Sequence, residues 1–501
     1  MSNQESLETE RKYEATLEMP VPDFRSIEGV ESVAAPVEHE LEAVYFDTDD
    51  LALARHRVTL RRRTGGEDSG WHVKLPAGTD SRLEIHAPLG QPETVPEELS
   101  ERLLVFTRLA ALRPVARVHT RRTVYRLRGA DHATLADFAD DFVTATALHP
   151  AQLERQWREW EVELLHGDQA LFDGVEGLLS ESGAKPSAYA SKLAHTFGTA
   201  WPPAVPTPPK VRKKGPAGDT VMSYVAERIA EITALDSAVR QGTDDSVHQM
   251  RSATRRLRSI LSVYGKLFDA DVVAPLKTEL KWLSGILGRA RDAEVLRARI
   301  ADVLNAQPDE LLPGPAAAKV TEELDSSYNF GYRELLRTMG NSRYFRLLDA
   351  LETFRDDPPL KSKAKKKARP VTAKLSANAI KRLRRSQKTA NKSSGAKHDP
   401  ALHRVRKDAK RLRHAAEVLE TVHGKPAAKL ARRAQELQKV LGEHQDSVIA
   451  QLVLRRLARE TGGSMADGST FGRLLAAEEQ RAADSGARYE KLAKKSRLKP
   501  L

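Results

Sequence analysis

Residues 8–12 read Glu8-Thr9-Glu10-Arg11-Lys12, and the alternating charges of this stretch decide the fold that we predict for the first half of the chain. Side chains of an extended strand alternate between two faces, so Glu8, Glu10 and Lys12 share one face. Such a face is costly inside an apolar core. The stretch is therefore either a solvated, charged strand or one wall of a site that holds a divalent cation beside a phosphate chain.

The same two-residue spacing recurs through residues 1–200. Charged pairs lie in segments whose alternate positions are apolar or β-branched, which predicts further strands. The pairs are Arg61 and Arg63, His72 and Lys74, Arg82 and Glu84, His119 and Arg121, and Glu161 and Glu163. Any one pair is typical of an exposed strand face. Several pairs of both signs favour a barrel or tunnel with a charged interior and helices outside.

In their order along the chain, these motifs resemble the CYTH family, named for class IV adenylate cyclases and thiamine triphosphatases. The resemblance covers residues 5–200 and also rests on Tyr45-Phe-Asp-Thr48, Leu60-Arg-Arg-Arg63, Val73-Lys-Leu75, Arg82-Leu-Glu84, Glu161-Val-Glu163 and Ser191-Lys192. It implies an antiparallel eight-stranded tunnel that binds triphosphates with Mg²⁺ or Mn²⁺. His119 and His86 depart from the family pattern and leave the preferred substrate open.

The resemblance also implies site roles. The metals would be held by Glu8, Glu10, Glu161 and Glu163, with Asp137 or Asp140 as further candidates. Phosphate oxygens would be bound by Lys12, Arg61, Arg63, Lys74, Arg82, Arg121 and Lys192. The predicted catalytic set is Glu161, Glu163 and Lys12, in which either glutamate could orient the attacking water.

These residue types suit phosphoryl transfer independently of any family. Carboxylates are the ligands that Mg²⁺ and Mn²⁺ prefer, Arg binds phosphate bidentately, and Lys supplies a point charge. The reaction needs mainly positioning and charge neutralisation, so no Cys or Ser nucleophile is required.

Charge divides the 501-residue chain in two. Residues 1–200 hold 22 Lys and Arg against 34 Asp and Glu, a net charge of −12, whereas residues 201–501 carry +24. Residues 201–216 are rich in Pro and basic residues, which is typical of a stiff linker. The chain has no cysteine, which agrees with a reducing, cytoplasmic location. We find no apolar run long enough for a membrane span and no signal peptide at the acidic N-terminus.

The second half has the apolar periodicity of helices and contains an internal repeat. Residues 247–258 (VHQMRSATRRLR) match residues 402–413 (LHRVRKDAKRLR), and residues 283–292 (LSGILGRARD) match residues 437–446 (LQKVLGEHQD). The offsets of 155 and 154 predict two similar helical bundles, about residues 217–355 and 372–501, around a pseudo-twofold axis.

Each repeat carries a stripe of cations on one helical arc of roughly 80°. The stripes consist of His248, Arg251, Arg255 and Arg258, and of His403, Arg406, Lys410 and Arg413. A solvated basic face is the common explanation, but such faces usually mix signs. Four stacked cations at matched positions in two copies favour a surface that binds a polyanion. Neither histidine is followed four residues later by another His or a carboxylate, so we expect a phosphate hydrogen-bond donor rather than a metal ligand.

This half resembles the CHAD family through the His-x-x-Arg-x-x-x-Arg/Lys-Arg-Leu-Arg and Leu-Gly-x-x-x-Asp motifs of both copies, over residues 217–501. The resemblance implies a basic channel between the bundles that binds inorganic polyphosphate through the two stripes. Weaker candidates are Lys277, Lys281, Arg289, Lys439 and His444. Asp292 and Asp446 are expected to bond to a facing Arg or a helix end.

The join between the repeats is a run of basic residues, Lys361–Pro370. Its composition predicts a solvated, disordered loop, or a segment that attracts any polyanion. Nucleic acid is disfavoured as the main partner because the basic stripes lack interleaved aromatic residues.

We therefore predict an α+β protein that acts on phosphate polymers. The first hypothesis is a metal-dependent hydrolase of tripolyphosphate or a related triphosphate, tethered to polyphosphate by the helical half. The second is a non-catalytic protein that binds polyphosphate or targets polyphosphate granules. The third and least favoured is an adenylate cyclase, since nothing in the sequence suggests a base pocket.

Overall fold

The computed structural model describes residues 4–77, 81–130, 132–149, 152–206, 208–305, 315–461, 465–495 and 501. The chain divides into two compact units, Met1–Val205 and Pro206–Leu501. Across the described residues, no helix is long and apolar enough to cross a membrane.

The first unit is built from antiparallel strands. They are β1 (Gln4–Ala15), β2 (Ser32–Val33), β3 (Val37–Asp47), β4 (Thr59–Thr64), β5 (Gly70–Pro76), β6 (Ser81–Ala87), β7 (Arg113–Arg128), β8 (Thr134–Ala147), β9 (Leu153–Leu164) and β10 (Lys185–Pro186). Its helices are α1 (Ala52–Arg55), α2 (Glu97–Thr107), α3 (Gln169–Glu181) and α4 (Lys192–Phe197).

Eight of these strands close into a barrel in the order β1-β6-β5-β4-β3-β7-β8-β9, because β1 pairs with both β6 and β9. The short β2 and β10 add to β7 and β1 respectively. The predicted eight-stranded antiparallel tunnel is confirmed.

Apolar side chains cover the outside of the barrel. Trp160 and Phe138 pack with Phe172 of α3, and Trp71 and Val73 pack with Leu99 and Leu103 of α2, all of them fully buried. Because strand side chains alternate, burying these residues under helices directs the charged alternate positions into the barrel. The barrel therefore buries its apolar face outward and keeps a polar interior.

The second unit is helical. Its helices are α5 (Ala217–Arg240), α6 (Ser246–Tyr264), α7 (Ala270–Asn305), α8 (Pro315–Met339), α9 (Ser342–Asp356), α10 (Ala368–Ala390), α11 (His398–Glu417), α12 (Glu420–His423), α13 (Lys425–Thr461) and α14 (Met465–Lys495). The α+β class, with a helical region after the barrel, is thus confirmed.

The sequence repeat appears as a repeat of helix packing. Contacts run α5–α6, α6–α7 and α7–α8 in the first copy, and α10–α11, α11–α13 and α13–α14 in the second. The repeated Leu-Gly motif places a glycine beside a stripe arginine in each copy. A methyl group on Gly288 would lie 3.7 Å from Arg251 Nε, and one on Gly442 would lie 3.5 Å from Arg406 Nη2.

The basic run between the repeats is ordered, so the prediction of a disordered loop was wrong. A short 3₁₀ turn, Ser362–Lys365, leads directly into α10, with Ala364 and Ala368 buried. Backbone hydrogen bonds from Ala217 N to Lys366 O and from Ala368 N to Gly215 O, each 2.9 Å, anchor it. Small apolar residues between the lysines supply the buried contacts that composition alone concealed.

Candidate functional site

The barrel interior encloses a cavity of about 250 Å³ lined mostly by charged side chains. Strand register brings them together, since Lys12 lies opposite Glu161, Glu10 opposite Glu163, and Arg122 opposite Asp141. The predicted residues that line the cavity are Glu8, Glu10, Lys12, Arg61, Arg63, Lys74, Arg82, Glu161, Glu163 and Lys192.

The structure does not place Arg121 in the cavity. Arg121 is exposed on the outer face of β7, with its guanidinium 5.0 Å from the centre of the Phe142 ring. Arg122 lines the cavity instead and binds Asp141 through two bonds of 2.7 and 2.6 Å. The prediction took the wrong one of two adjacent arginines, which point to opposite faces of the strand.

The neighbouring residues of β7 contain the signal for this correction. Val118 and Thr120 are buried, whereas His119 is exposed and contacts Glu40 at 2.7 Å on the outer surface. Inward positions on β7 are therefore even-numbered, and Arg122 and Arg126 belong to them.

Lys192, at the start of α4, is the centre of the most buried charge cluster. Its ammonium lies 2.7 Å from a carboxylate oxygen of each of Asp141, Glu159 and Glu161. Burial opposes a charged lysine, yet these carboxylates raise its pKa above the usual value. The pKa of Glu161 is held well below normal, because Lys12, Lys192 and Arg122 outweigh the effect of burial. Neither Asp141 nor Glu159 was predicted as a site residue.

A second set of carboxylates, Glu8, Glu10 and Glu163, is less completely neutralised. Burial, followed by a hydrogen bond to Glu84, raises the pKa of Glu8 to about 7, even though Lys74 contacts it. Burial and the charge of Glu8 raise the pKa of Glu163 to about 7. Glu10 is different: burial opposes its ionisation, but Lys12 and Lys74 lower its pKa to about 2.

Among the described residues, one group of carboxylates lies close enough together to hold a metal ion. Ligand atoms of Asp141, Glu159 and Glu161 lie within 4.8 Å of one another. That triad already surrounds the Lys192 ammonium, so a cation there would have to displace it. Within the described part of the chain, Glu163 forms no ion pair within 4.0 Å. Glu8, Glu10 and Glu163 line the same cavity but do not converge as closely, and Lys74 and Lys12 contact Glu8 and Glu10. A cation beside them would relieve the repulsion between Glu8 and Glu163.

The two aspartates named as further candidates lie on opposite faces of β8. Asp137 lines the cavity, and its pKa is raised by burial. Asp140 instead accepts two 2.8 Å bonds from Arg158 and one of 3.0 Å from the Trp160 indole, outside the barrel. Asp140 is therefore withdrawn as a metal candidate.

Other side chains that line the cavity are basic. Burial, followed by the charges of Arg61 and Arg122, lowers the pKa of Arg63 to about 9, although Arg63 also contacts Asp68. His72 Nδ1 lies 2.8 Å from Glu84, so Glu84 is engaged within the wall and His72 is not free to bind a ligand. A ligand with several negative charges would relieve this crowding.

One end of the barrel interior is closed. Val118, Val143 and Ala145 belong to the inward-facing series of their strands, and they pack with Leu193 and Phe197 of α4 in a buried apolar cluster. The charged cavity therefore ends at an apolar plug.

In the helical unit, the two predicted stripes face each other across α6 and α11. Burial and the charges of Arg255, Arg251 and Arg406 lower the pKa of Lys410 to about 6. Burial and the charges of Arg251 and Arg406 lower the pKa of Arg255 to about 10. Throughout the described helices, Arg255, Arg406 and Lys410 have no carboxylate within 4.0 Å, and the more distant Asp446 and Asp292 offset the repulsion at Arg406 and Arg255 only in part.

Other predicted stripe residues have partners or lie at the edge. Arg251 binds Asp292 at 2.8 Å, as expected for that aspartate, and Arg413 binds Glu417 at 2.7 Å. His248 and His403 flank the cluster, and burial followed by nearby cations lowers the pKa of each. Two of the weaker candidates are occupied elsewhere: Arg289 pairs with Glu334 at 2.6 Å, and His444 is buried 3.6 Å from Asp399.

Comparison with known proteins follows the division into two units. A family model of the CYTH domain matches residues 6–197, and one of the CHAD domain matches residues 223–455. The chain is 38% identical over 489 residues to Uncharacterized protein MT2285 of Mycobacterium tuberculosis (strain CDC 1551 / Oshkosh), covering 94% of this chain and 93% of that protein.

Two solved structures are similar to the helical part. PptA from Streptomyces chartreusis has a TM-score of 0.47 and 21% identity, covering 56% of this chain and 99% of that chain. The CHAD domain from the plant Ricinus communis has a TM-score of 0.46 and 24% identity, covering 58% of this chain and 96% of that chain.

Proposed function

This chain belongs to the proteins that fuse a CYTH domain to a CHAD domain, and from that premise we propose that its barrel hydrolyses inorganic tripolyphosphate or a related triphosphate while its helical unit binds polyphosphate. The CYTH family includes triphosphatases and cyclases, and its tunnel enzymes depend on metal ions. Within that range, we propose one reaction, triphosphate hydrolysis, and one polymer, polyphosphate.

The observation that carries the proposal is that one cavity holds two chemically different sets of side chains. Arg61, Arg63 and Lys74 supply positive charge, and Glu8, Glu10 and Glu163 supply carboxylates, with Lys74 in contact with Glu8. A polyanion alone would suit only the first set, and a cation alone only the second. A triphosphate that carries a divalent cation satisfies both.

In this mechanism the chain's own residues position the substrate. Arg61, Arg63, Arg82 and Arg122 bind the outer phosphate oxygens and spread the charge of the transferring group. Mg²⁺ or Mn²⁺, held by Glu8, Glu10 and Glu163, would neutralise phosphate charge and polarise the phosphoryl group. Burial and the charge of Glu8 raise the pKa of Glu163 to about 7 without a metal, and the ionised, metal-bound Glu163 would orient the attacking water.

Glu161 is a poorer base than the sequence suggested. It is bound by Lys12, Lys192 and Arg122, so its proton affinity is very low. Its role here is to hold Lys12 and Lys192 in place. Of the two glutamates in the predicted catalytic set, we therefore assign the orientation of the attacking water to Glu163.

The helical unit would hold polyphosphate between the two stripes. Arg255, Arg406 and Lys410 are crowded together beside the Arg251–Asp292 pair, and phosphate oxygens would supply the counter-charges that these three lack within 4.0 Å in the described helices. Binding would concentrate phosphate polymer near the barrel of the same chain. An association with polyphosphate granules would follow from the same affinity.

The first test is phosphate release from tripolyphosphate, ATP and thiamine triphosphate, each with Mg²⁺, Mn²⁺ or EDTA. We expect metal-dependent release from tripolyphosphate that falls about a hundredfold or more in Glu10→Ala. The matched control is Glu40→Ala, which removes an exposed carboxylate from the outside of the barrel. Absence of release above the Glu10→Ala level would reject the hydrolase, and formation of cyclic AMP from ATP would identify a cyclase.

A further inference from the structure

A second basic concavity lies between α10 and α11. It has a volume of about 460 Å³, and its four cations are Lys381, Arg382, Arg385 and Arg404. All four are exposed. On α11, Arg404 lies roughly 100° around the helix from His403, so this concavity is on a different face from the stripe. We call it the α10–α11 groove.

The one carboxylate in the lining of the groove is already neutralised. Asp408 is 4% exposed, and its Oδ1 accepts bonds from Arg382 Nε at 2.8 Å and Arg411 Nη1 at 2.7 Å. The remaining charges of the groove are positive. Because burial protects Asp408 from solvent, it holds two guanidiniums side by side rather than offering a site for a cation.

Arg411 connects the groove to the stripes. It shares Asp408 with Arg382 on one side. On the other side is Arg258, the last cation of the α6 stripe, whose pKa is lowered by burial and then by the Arg411 guanidinium. The described residues around Arg258 include no carboxylate within 4.0 Å of it. Arg411 therefore links the α6 stripe to the groove, with the buried Asp408 carboxylate shared between Arg411 and Arg382.

The internal repeat provides a comparison within the same molecule. Helices α5 and α10 begin at equivalent buried residues, Ala217 and Ala368, an offset of 151, and α6 and α11 are offset by 155. The first-copy counterparts of the four groove cations are Ala230, Glu231, Ala234 and Gln249. The groove is therefore not a requirement of the helical packing that the two copies share.

The two copies also end differently. Arg413 is the counterpart of Arg258, and it binds Glu417 at 2.7 Å. In the first copy, Glu231 binds Arg228 at 2.8 Å. The basic cleft is the space between the two stripes. Carboxylates lie at one of its ends, whereas further cations lie at the other.

We propose that the α10–α11 groove is a second phosphate-polymer site, which receives the part of a long polyphosphate chain that leaves the cleft past Arg258 and Arg411. This inference rests on the proposed binding of polyphosphate by the two stripes. A polymer with negative charge on every unit suits a line of exposed cations on successive helical turns. The lining of the groove contains no aromatic ring on which a nucleic-acid base could stack.

The test compares short and long phosphate chains on the full-length protein. The groove variant is Lys381→Gln/Arg385→Gln, which spares the Arg382–Asp408 pair. The control variant is Lys425→Gln/Lys429→Gln, which removes the same charge from exposed positions of α13. We expect the groove variant to bind long-chain polyphosphate about tenfold more weakly, with tripolyphosphate unaffected. For the groove variant, the slope of log K against log salt concentration should become shallower by about 1.4, because two cation–phosphate contacts are lost.

Each result separates the groove from the proposed function. If wild-type protein binds long chains and the groove variant binds them equally well, the groove is not used, while binding at the stripes stands. If wild-type protein binds no polyphosphate, the proposed function itself fails. If a single-stranded oligonucleotide loses as much affinity as polyphosphate, the groove is a general polyanion surface and our assignment is wrong. Unchanged thermal unfolding of both variants excludes misfolding as the cause.

Discussion

Replacing Lys192 by Met would leave three buried carboxylates without their shared counter-charge. The ammonium lies 2.7 Å from each of Asp141, Glu159 and Glu161, and the side chain is 8% exposed. Breaking a buried ion pair by removing one partner costs about 3–5 kcal/mol, since the other charge stays buried. We expect this loss of unfolding free energy near neutral pH, which lowers the melting temperature of a unit this size by roughly 6–20 °C.

The pH dependence of this loss identifies its cause. The raised pKa of Lys192 means that its stabilisation is complete below the pKa of an unfolded lysine and is lost only at strongly alkaline pH. In Lys192→Met, the carboxylates should instead take up protons as the pH falls, and the difference from wild type should shrink. Divalent cations should also restore stability, because the triad would then be free to bind them.

Tryptophan fluorescence is a suitable assay, since Trp71, Trp157, Trp160 and Trp201 lie in the barrel unit and only Trp282 lies in the helical unit. Lys185→Met is the matched control, because Lys185 is exposed on β10. A Lys192→Met protein that melts within about 2 °C of wild type at neutral pH would refute the reasoning. So would a loss of stability that did not change with pH or divalent cations.

Three further predictions follow from the site. Arg122→Gln should reduce phosphate release about a hundredfold, whereas Arg121→Gln should stay near wild type, because only the first lines the cavity. Mn²⁺ affinity, measured by electron paramagnetic resonance, should rise about tenfold per ionising carboxylate between about pH 6 and pH 8, because Glu8 and Glu163 must lose protons. Polyphosphate binding near pH 7.5 should take up about one proton, because bound phosphate raises the depressed pKa of Lys410.

Each of these has a contrary result and a control. Equal losses in Arg121→Gln and Arg122→Gln would contradict the assignment of strand faces. Mn²⁺ affinity that is independent of pH, or as pH-dependent in Glu163→Gln as in wild type, would contradict the metal site. Proton uptake is measured by calorimetry in buffers of different ionisation enthalpy, and it should disappear in Lys410→Gln. At Lys410, the folded protein binds fewer protons than the unfolded chain between about pH 6 and pH 10.5. This group alone therefore makes the free energy of unfolding rise with pH in that window.

Sequence predicted strand faces well where charge alternates with apolar residues. On β1, Glu8, Glu10 and Lys12 have no competing charge pattern except Arg11, and they line the cavity as expected. Where two like charges are adjacent, as in Arg121-Arg122 and Asp140-Asp141, composition cannot distinguish the faces. There, the inward residue is set by strand register and by what the outer helices cover.

The helical half was predicted from its repeat, and the facing stripes follow from it. Which cations keep a free charge depends on tertiary contacts. The Arg413–Glu417 pair could have been found from its four-residue spacing, because such pairs meet on one helix face. The Arg382–Asp408–Arg411 cluster could not, since it joins two helices whose relative rotation the sequence does not specify.

The apolar plug at one end of the barrel has a consequence for a polymeric substrate. Leu193 and Phe197 pack at this end of the charged interior, so a phosphate chain taken up from the other end, as proposed, would enter by its terminus. The depth from the mouth to that end would then act as a ruler, selecting which anhydride bond comes to rest beside Glu163. A linear chain could be shortened from its tip, and a cyclic phosphate, which has no tip, would be excluded by shape alone.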